Sequence, residues 1–337
     1  MSSGRGAIRL ESLSKSYGRV TALDNVDLEV RAGELVTLVG PSGSGKSTIL
    51  RLIAGLERPD AGRILVNGDD VSRVPPHRRG VAMVFQDYAL YPHLTVLGNL
   101  LFGLRVRRVP RPEAERRARA AAERVGIADL LDRYPDQMSG GQRQRVALAR
   151  ALVREPQVYL FDEPLASLDA PLRFATRADL LALHRELNTT AIHVTHDQSE
   201  AMTLGDRVVV LAGGRIRQIG EPQQVYDQPA DLVVAGFLGS PPMNLVAGGG
   251  VLGGSSGLIL GVRPEDLTFD ADGPLEVSVE AVESLGNENL LLTRCGDGTR
   301  LTIRSGPRSG VRAGDRVRLR PDPGRIHRFD AETGRRR

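Results

Sequence analysis

Short apolar runs set the rhythm of this chain. They fall at Leu35–Val39 and at residues 81–85, 158–161, 191–194 and 208–211, with helical patterns between them. From Ile8 to about Gly236 that alternation predicts a parallel α/β sheet. No convincing strand lies between the second and third runs. Ala114, Ala118, Ala121, Ala122 and Val125 recur there at helical spacing, so residues 95–152 are expected to form a largely helical insertion. After Phe237 the texture changes to Gly/Pro-rich turns separated by short alternating runs, such as residues 275–279 and 316–320, which predicts a small all-β domain. Residues 248–257 read as a loop within or leading into it, and Gly334-Arg335-Arg336-Arg337 as a frayed tail. No internal repeat suggests a solenoid. At 337 residues the chain is long for one core, and the expected division is 1–236 and 237–337.

Composition narrows the class. With 41% hydrophobic and 26% charged residues the chain is ordinary globular material. No apolar run approaches the roughly 20 residues that span a bilayer, and residues 1–6 are not followed by the apolar core of a signal peptide, so a cytoplasmic chain is expected. Cys295 is the only cysteine, which excludes an intrachain disulfide and a cysteine metal cluster, and it reads as a core or strand residue. The net charge of +4 arises from 45 basic against 41 acidic residues, and only Lys15 and Lys46 are lysines. The densest basic run, Arg116, Arg117, Arg119 and Arg124, alternates with Glu113, Glu115 and Glu123, with Glu113/Arg117 and Glu115/Arg119 at i,i+4. That pattern describes a solvated helix face, and 4% aromatic residues supply base-stacking platforms poorly, so no nucleic-acid partner is expected.

Chemistry concentrates in three places. The first apolar run leads into Gly40-Pro41-Ser42-Gly43-Ser44-Gly45-Lys46-Ser47-Thr48 and then a helix-like segment, the strand–loop–helix setting of a phosphate-binding loop. Glycines let several backbone N–H groups converge on one anion, and the helix adds the positive end of its dipole. Lys46 can reach the outer phosphates and the Ser47 hydroxyl a Mg²⁺ ion, while Thr48 begins the packed part of the helix. The run Val158-Tyr159-Leu160-Phe161 ends in Asp162 and Glu163, placing one carboxylate for a Mg²⁺ shell and the other beside the phosphate to polarise water. Ser139-Gly140-Gly141-Gln142 leads into a helical run. Ser139 has the character of an N-cap and the glycines permit close approach, so this is a second anion-binding helix start.

Together these segments resemble the ATP-binding cassette family of transport ATPases, whose signature is SGGQ, and the resemblance covers essentially the whole chain. Gln86 in Val84-Phe85-Gln86-Asp87 matches the Q-loop, Ser167-Leu168-Asp169 the D-loop, His196 in Val194-Thr195-His196-Asp197 the switch histidine, and Tyr17 the aromatic that stacks on adenine. The resemblance implies a P-loop NTPase cassette followed by a small OB-like β domain, with ATP and Mg²⁺ as cofactors. It implies a head-to-tail dimer, of two copies or with a similar cassette. Each ATP would meet Tyr17, the residues from Gly40 to Thr48, Gln86, Asp162, Glu163, Asp169 and His196, with Ser139, Gly140, Gly141 and Gln142 supplied by the opposite chain. Glu163, His196, Gln86 and Lys46 would carry catalysis, and Ser47, Gln86 and Asp162 the metal.

Within the family, residues 88–95, Asp197-Gln198 with Glu200-Ala201-Met202-Thr203-Leu204, residues 239–244 and Gly261-Val262-Arg263-Pro264-Glu265-Asp266 resemble the importer subgroup typified by the maltose and glycerol-3-phosphate uptake ATPases. This implies a peripheral subunit on the cytoplasmic side of the inner membrane, working with integral-membrane permeases and indirectly with an extracytoplasmic solute-binding protein, with a regulator possible at the C-terminal domain. Sugars, polyols, polyamines and iron are all solutes of similar cassettes. A DNA-acting ATPase is the alternative from another class, but too few residues separate Lys46 from Ser139 for a long coiled coil. A third reading makes the C-terminal domain the main business, as a binding or regulatory module. Three positions depart from the pattern: Met138 stands for leucine, Gly98 for glutamate, and Ala166-Ser167 for Ser-Asn or Ser-Ala.

Overall fold

The computed structural model describes residues 6–337, so the reading of residues 1–6 lies, apart from Gly6, outside the described residues. The chain divides into two compact units, one ending at Pro222 and the other beginning at Gln223, ahead of the change in texture after Phe237.

In the first unit the apolar runs line up in a six-stranded sheet. The spatial order is Arg215–Gly220, Arg207–Ala212, Leu35–Val39, Thr190–Val194, Val158–Asp162 and Val81–Val84, parallel except for the antiparallel edge strand Arg215–Gly220. Every residue of Leu35–Val39, Val158–Asp162 and Thr190–Val194 is buried, as expected of parallel strands covered on both faces. Alternate side chains feed two cores. Val36, Leu38, Leu160 and Ile192 pack with Ile49, Leu50, Leu52 and Ile53 of helix Lys46–Ala54. Leu35, Tyr159, Phe161 and Ala191 belong to a second core with Leu100, Leu104, Ala118, Ala122, Val146 and Ala149. Those last six come from the helices Val96–Val106, Arg111–Arg124 and Gly140–Leu152, which make up the helical insertion. Met138 is buried in the same core. Thr95 caps the first of these helices through the Gly98 N–H, and Gly98 stands where a glutamate would close a capping box.

Residues 8–70 hold a second sheet that the apolar runs do not announce. Val20–Val30, Ile8–Tyr17, Ala61–Val66 and Asp69–Asp70 pair antiparallel in that order. The pairing shifts register between Leu10 and Leu13 and again on either side of Lys15, and Ser12 and Asn25 take positive φ. Such irregularities confine the two-residue alternation by which a half-buried strand is read to short stretches, residues 8–10 and 26–30. The basic run on helix Arg111–Arg124 is a solvated face. Glu113 holds both Arg116 and Arg117, and their guanidinium groups pull its pKa down to about 2, whereas Glu115 takes Arg111 at 2.8 Å rather than Arg119.

The second unit has two antiparallel sheets. One orders Asn244–Ala247, Leu258–Val262 and His327–Asp330; the other orders Leu267–Phe269, Arg316–Pro321, Leu275–Ser284, Asn289–Cys295 and Arg300–Ser305. Val262, Leu267, Val277, Leu291, Ile303 and Leu319 form the core, and Cys295 is buried at a strand end. The tail is not frayed. Arg335 bridges to Asp231 and Arg336 to Phe329, the Arg337 N–H donates to the Arg328 carbonyl at 2.9 Å, and the Arg337 side chain pairs with Asp330. Backbone pairing holds it where composition alone suggested disorder. Arg263 is buried, with the carboxylates of Glu265, Asp266 and Asp227 supplying negative charge nearby. It lies 3.6 Å over the Tyr226 ring and donates to the Tyr226 and Leu238 carbonyls. Among the described residues no helix is long and apolar enough to cross a membrane.

His327, 7% exposed, has its pKa lowered from 6.5 to about 4 by burial and by the positive charges of Arg336, Arg263 and Arg325, against Asp227. Between those values the unfolded chain binds a proton that the folded chain does not, so stability present above pH 6.5 declines as pH falls toward 4. His327→Phe is expected to remove a part of that decline on the order of 1 kcal/mol. Urea midpoints of the full chain at pH 7 and pH 5 check it; an equal loss in both proteins counts against the assignment.

Candidate functional site

The register of the parallel sheet decides which loops meet. Leu38 pairs with Val194, and Val194 with Asp162, so three strands end level with one another. The phosphate loop, Thr195-His196 and Asp162-Glu163 therefore emerge side by side at one sheet edge, where open α/β sheets bind ligands.

Glycine is obligatory in the loop. Gly45 caps helix Lys46–Ala54 at φ 104°, and a Cβ there would lie 2.5 Å from the Ala22 carbonyl oxygen; at Gly40, φ 154°, it would collide with that of Leu211. Lys46 Nζ donates to the Gly40 and Pro41 carbonyls at 2.8 and 3.0 Å, and so holds the loop by its own backbone. Burial lowers the Lys46 pKa, against the charges of Glu163 and Asp162. Ser47 Oγ donates to Asp162 Oδ1 at 2.9 Å. Burial raises the Asp162 pKa, with the Ser47 hydrogen bond opposing.

Glu163 is a non-glycine residue in the left-handed region, φ 47°, held by its N–H donating to the Val194 carbonyl at 3.0 Å. Its Oε2 lies 3.0 Å from Nδ1 of the exposed His196. A cleft of about 610 Å³ is lined by Tyr17, Ala22, residues 42–48, Glu163 and His196. The half-exposed Tyr17 ring has Lys15 Nζ 5.4 Å from its centroid. Thus the aromatic, the loop, the acid and the histidine converge, with Asp162 tied in through Ser47.

Of the other expected positions, Gln86, Ser139, Gly140, Gly141, Gln142 and Asp169 lie outside the lining of this cleft. Gln86 is exposed just past strand Val81–Val84. Ser139 and Gln142 close a capping box on helix Gly140–Leu152, at 3.0 Å from the Ser139 N–H to Gln142 Oε1 and 3.3 Å from the Gln142 N–H to Ser139 Oγ. A Cβ on Gly141 would lie 2.6 Å from Leu172 Cδ2, so this glycine admits the neighbouring helix Ala170–Leu187. Asp169 caps that helix through the Leu172 N–H at 2.9 Å. Two arginines escaped the sequence reading. Arg150 donates to the Tyr88 and Ala89 carbonyls, and Arg173 to the Leu168 carbonyl while facing Asp197 at 3.5 Å. In a chain whose cations are nearly all arginine, neither stood out.

Two family models match the chain: ABC transporter over residues 23–166 and TOBE domain over residues 260–329. The sn-glycerol-3-phosphate import ATP-binding protein UgpC of Bordetella pertussis is 46% identical over 98% of both chains, and that of Cereibacter sphaeroides 48% identical over 98% of this chain and 99% of its own. The chain belongs to the ABC transporter family. It is an ATP-binding, ATP-hydrolysing transport ATPase: a P-loop cassette carrying an OB-like TOBE domain. Among solved structures, the ATP-binding cassette MJ0796, described as a dimeric post-hydrolysis state bound to ADP and Pi, matches at 32% identity and a TM-score of 0.58, covering 64% of this chain and 98% of its own. CbiO1 from Clostridium perfringens, described as part of the ABC transporter complex cbiONQ, matches at 31% identity and a TM-score of 0.61, covering 66% of this chain and 92% of its own.

Gly45→Ala combines a left-handed φ with a backbone collision. It is expected to cost about 2 kcal/mol or more in stability and to weaken ATP binding at least about tenfold. Thermal unfolding and nucleotide titration of the variant check this; wild-type behaviour in both would show that the loop accommodates a side chain.

Proposed function

We propose that this ABC transport ATPase powers uptake of a sugar or a related polar solute through partner permeases, from the cytoplasmic face of the membrane. The observation that carries the chemistry is the convergence of Tyr17, the phosphate loop, Glu163 and His196 on one cleft. Tyr17 offers a face for the adenine ring, and the loop N–H groups with Lys46 take the phosphates. The oxygens of Ser47 and Asp162, joined at 2.9 Å, suit a hard divalent cation, and Gln86 would complete that set. Mg²⁺ held there would neutralise phosphate charge. Glu163 accepts the proton of the attacking water, and His196 holds the carboxylate in place at 3.0 Å.

Because Ser139, Gly140, Gly141 and Gln142 do not line the cleft of their own chain, they are available to close the cleft of a second one. A head-to-tail dimer, with Asp169 near the junction, follows from that reading, as does hydrolysis that waits on closure. The MJ0796 cassette, a dimer bound to ADP and Pi, is in line with it. A groove of about 330 Å³ in the same unit, lined by Met83, Phe85, Tyr91, Phe102, Val106 and Arg150 among others, offers a permease segment an apolar seat with cationic edges. The UgpC relatives are named for sn-glycerol-3-phosphate import, which favours a sugar phosphate or polyol-like solute delivered by an extracytoplasmic binding protein. The TOBE domain would serve regulation.

Glu163→Gln keeps the side chain's shape and removes its basicity. Turnover of ATP is expected to fall by about 10²- to 10⁴-fold while ATP binding persists and ATP-bound dimers accumulate. Phosphate release and light scattering measure the two effects, and near-wild-type turnover would remove Glu163 from the role of base.

A further inference from the structure

We propose that Tyr88 is a positioning residue for ATP hydrolysis, acting through Ser167 on the loop that carries Glu163. The inference rests on the ATPase reading of the cleft.

Tyr88 and Ala89 follow Gln86 closely, and both take left-handed backbone conformations, φ 61° and 44°, that non-glycine residues adopt only under constraint. The constraint comes from Arg150 on helix Gly140–Leu152. Its guanidinium donates to the Tyr88 carbonyl at 2.9 Å and to that of Ala89 at 2.5 Å. Arg143, on the same helix, lies 6.0 Å from the centroid of the Tyr88 ring. So held, the buried ring delivers its hydroxyl to Ser167 Oγ at 2.5 Å.

Ser167 sits midway along a tight loop. The Ala166 N–H donates to the Glu163 carbonyl at 3.2 Å and the Leu168 N–H to that of Leu165 at 3.2 Å, and Arg173 fixes the Leu168 carbonyl at 2.9 Å. A displacement at Ser167 therefore reaches Glu163 through consecutive turns. The Tyr88–Ser167 bond joins three segments that the sequence separates: the turn after Gln86, the helix that begins at Gly140, and the loop between Glu163 and Asp169. Gly140 borders the junction, since a Cβ there would lie 3.7 Å from the Tyr88 hydroxyl and 3.8 Å from Leu168 Cδ2. Ser167 is also one of the positions that depart from the family pattern, so the hydroxyl partner belongs to this chain's own D-loop.

The cleft lining includes neither Tyr88 nor Ser167, so loss of their bond should spare nucleotide binding and slow turnover. The test is ATP hydrolysis by the full chain across MgATP concentrations, for wild type, Tyr88→Phe, Ser167→Ala, Ser167→Thr and the Tyr88→Phe/Ser167→Ala double variant. Phe keeps the ring and its packing, and Thr keeps the hydroxyl. The expected result is a fall in kcat of about 3- to 10-fold in each single loss with KM within about twofold, a double variant no slower than either single one, and recovery by Ser167→Thr. Unchanged kcat, multiplicative losses in the double variant, or a change confined to KM would each overturn the proposal. If wild type hydrolyses no ATP, the ATPase reading itself falls and this role with it. Melting temperatures separate a slow enzyme from an unfolded one: if Tyr88→Phe melts well below wild type, the bond is a stability element and the positioning role is rejected.

Discussion

Everything at the site depends on three buried parallel strands ending at the same level. Leu38, Val194 and Asp162 are neighbours across the sheet, and each strand is covered on both faces by side chains that cannot be exchanged between faces without turning the strand over. A slip of one residue would send Leu160 and Ile192 to the wrong core. The hydrophobic packing thereby fixes, to within a side chain's reach, where the phosphate loop, Glu163 and His196 emerge.

On that fixed edge the chain holds groups in unfavourable states. Lys46 and Asp162 are buried, and burial biases each against its charge. Glu163, a non-glycine residue, occupies a left-handed backbone conformation. Each is held by close partners: carbonyls for Lys46, the Ser47 hydroxyl for Asp162, the Val194 carbonyl for the Glu163 N–H. An anion with its counter-ion would meet groups already oriented, which is the condition for electrostatic stabilisation without reorganisation. Around the Ser139 helix start, by contrast, the Ser139 and Gln142 side chains accept from each other's backbone N–H groups in a capping box.

Much of this was legible in the chain. Runs as continuous as Leu35–Val39 are the signal of strands buried on both faces, and the glycines and acids stood directly at their ends. The antiparallel strands Ile8–Tyr17 and Val20–Val30 were harder to read, because register shifts within their pairing confine clean alternation to short stretches such as residues 8–10 and 26–30. The arginine-rich tail looked frayed by composition, yet its backbone pairs with Asp231 and Phe329, a property that composition does not encode. Arg263 and Arg150 gave no sign of their roles because their hydrogen-bond partners are carbonyls, which every residue possesses.

By itself, then, the sequence determined the kinds of element and the chemistry at their ends, since hydrophobic period and local motif are short-range properties. Only the tertiary structure decided which ends meet: that Glu163 faces His196, that Ser47 reaches Asp162, and that Tyr88 finds Ser167 across 79 positions. Those pairings are set by strand order and register, which arise from packing two cores at once and leave no trace in any single stretch of chain.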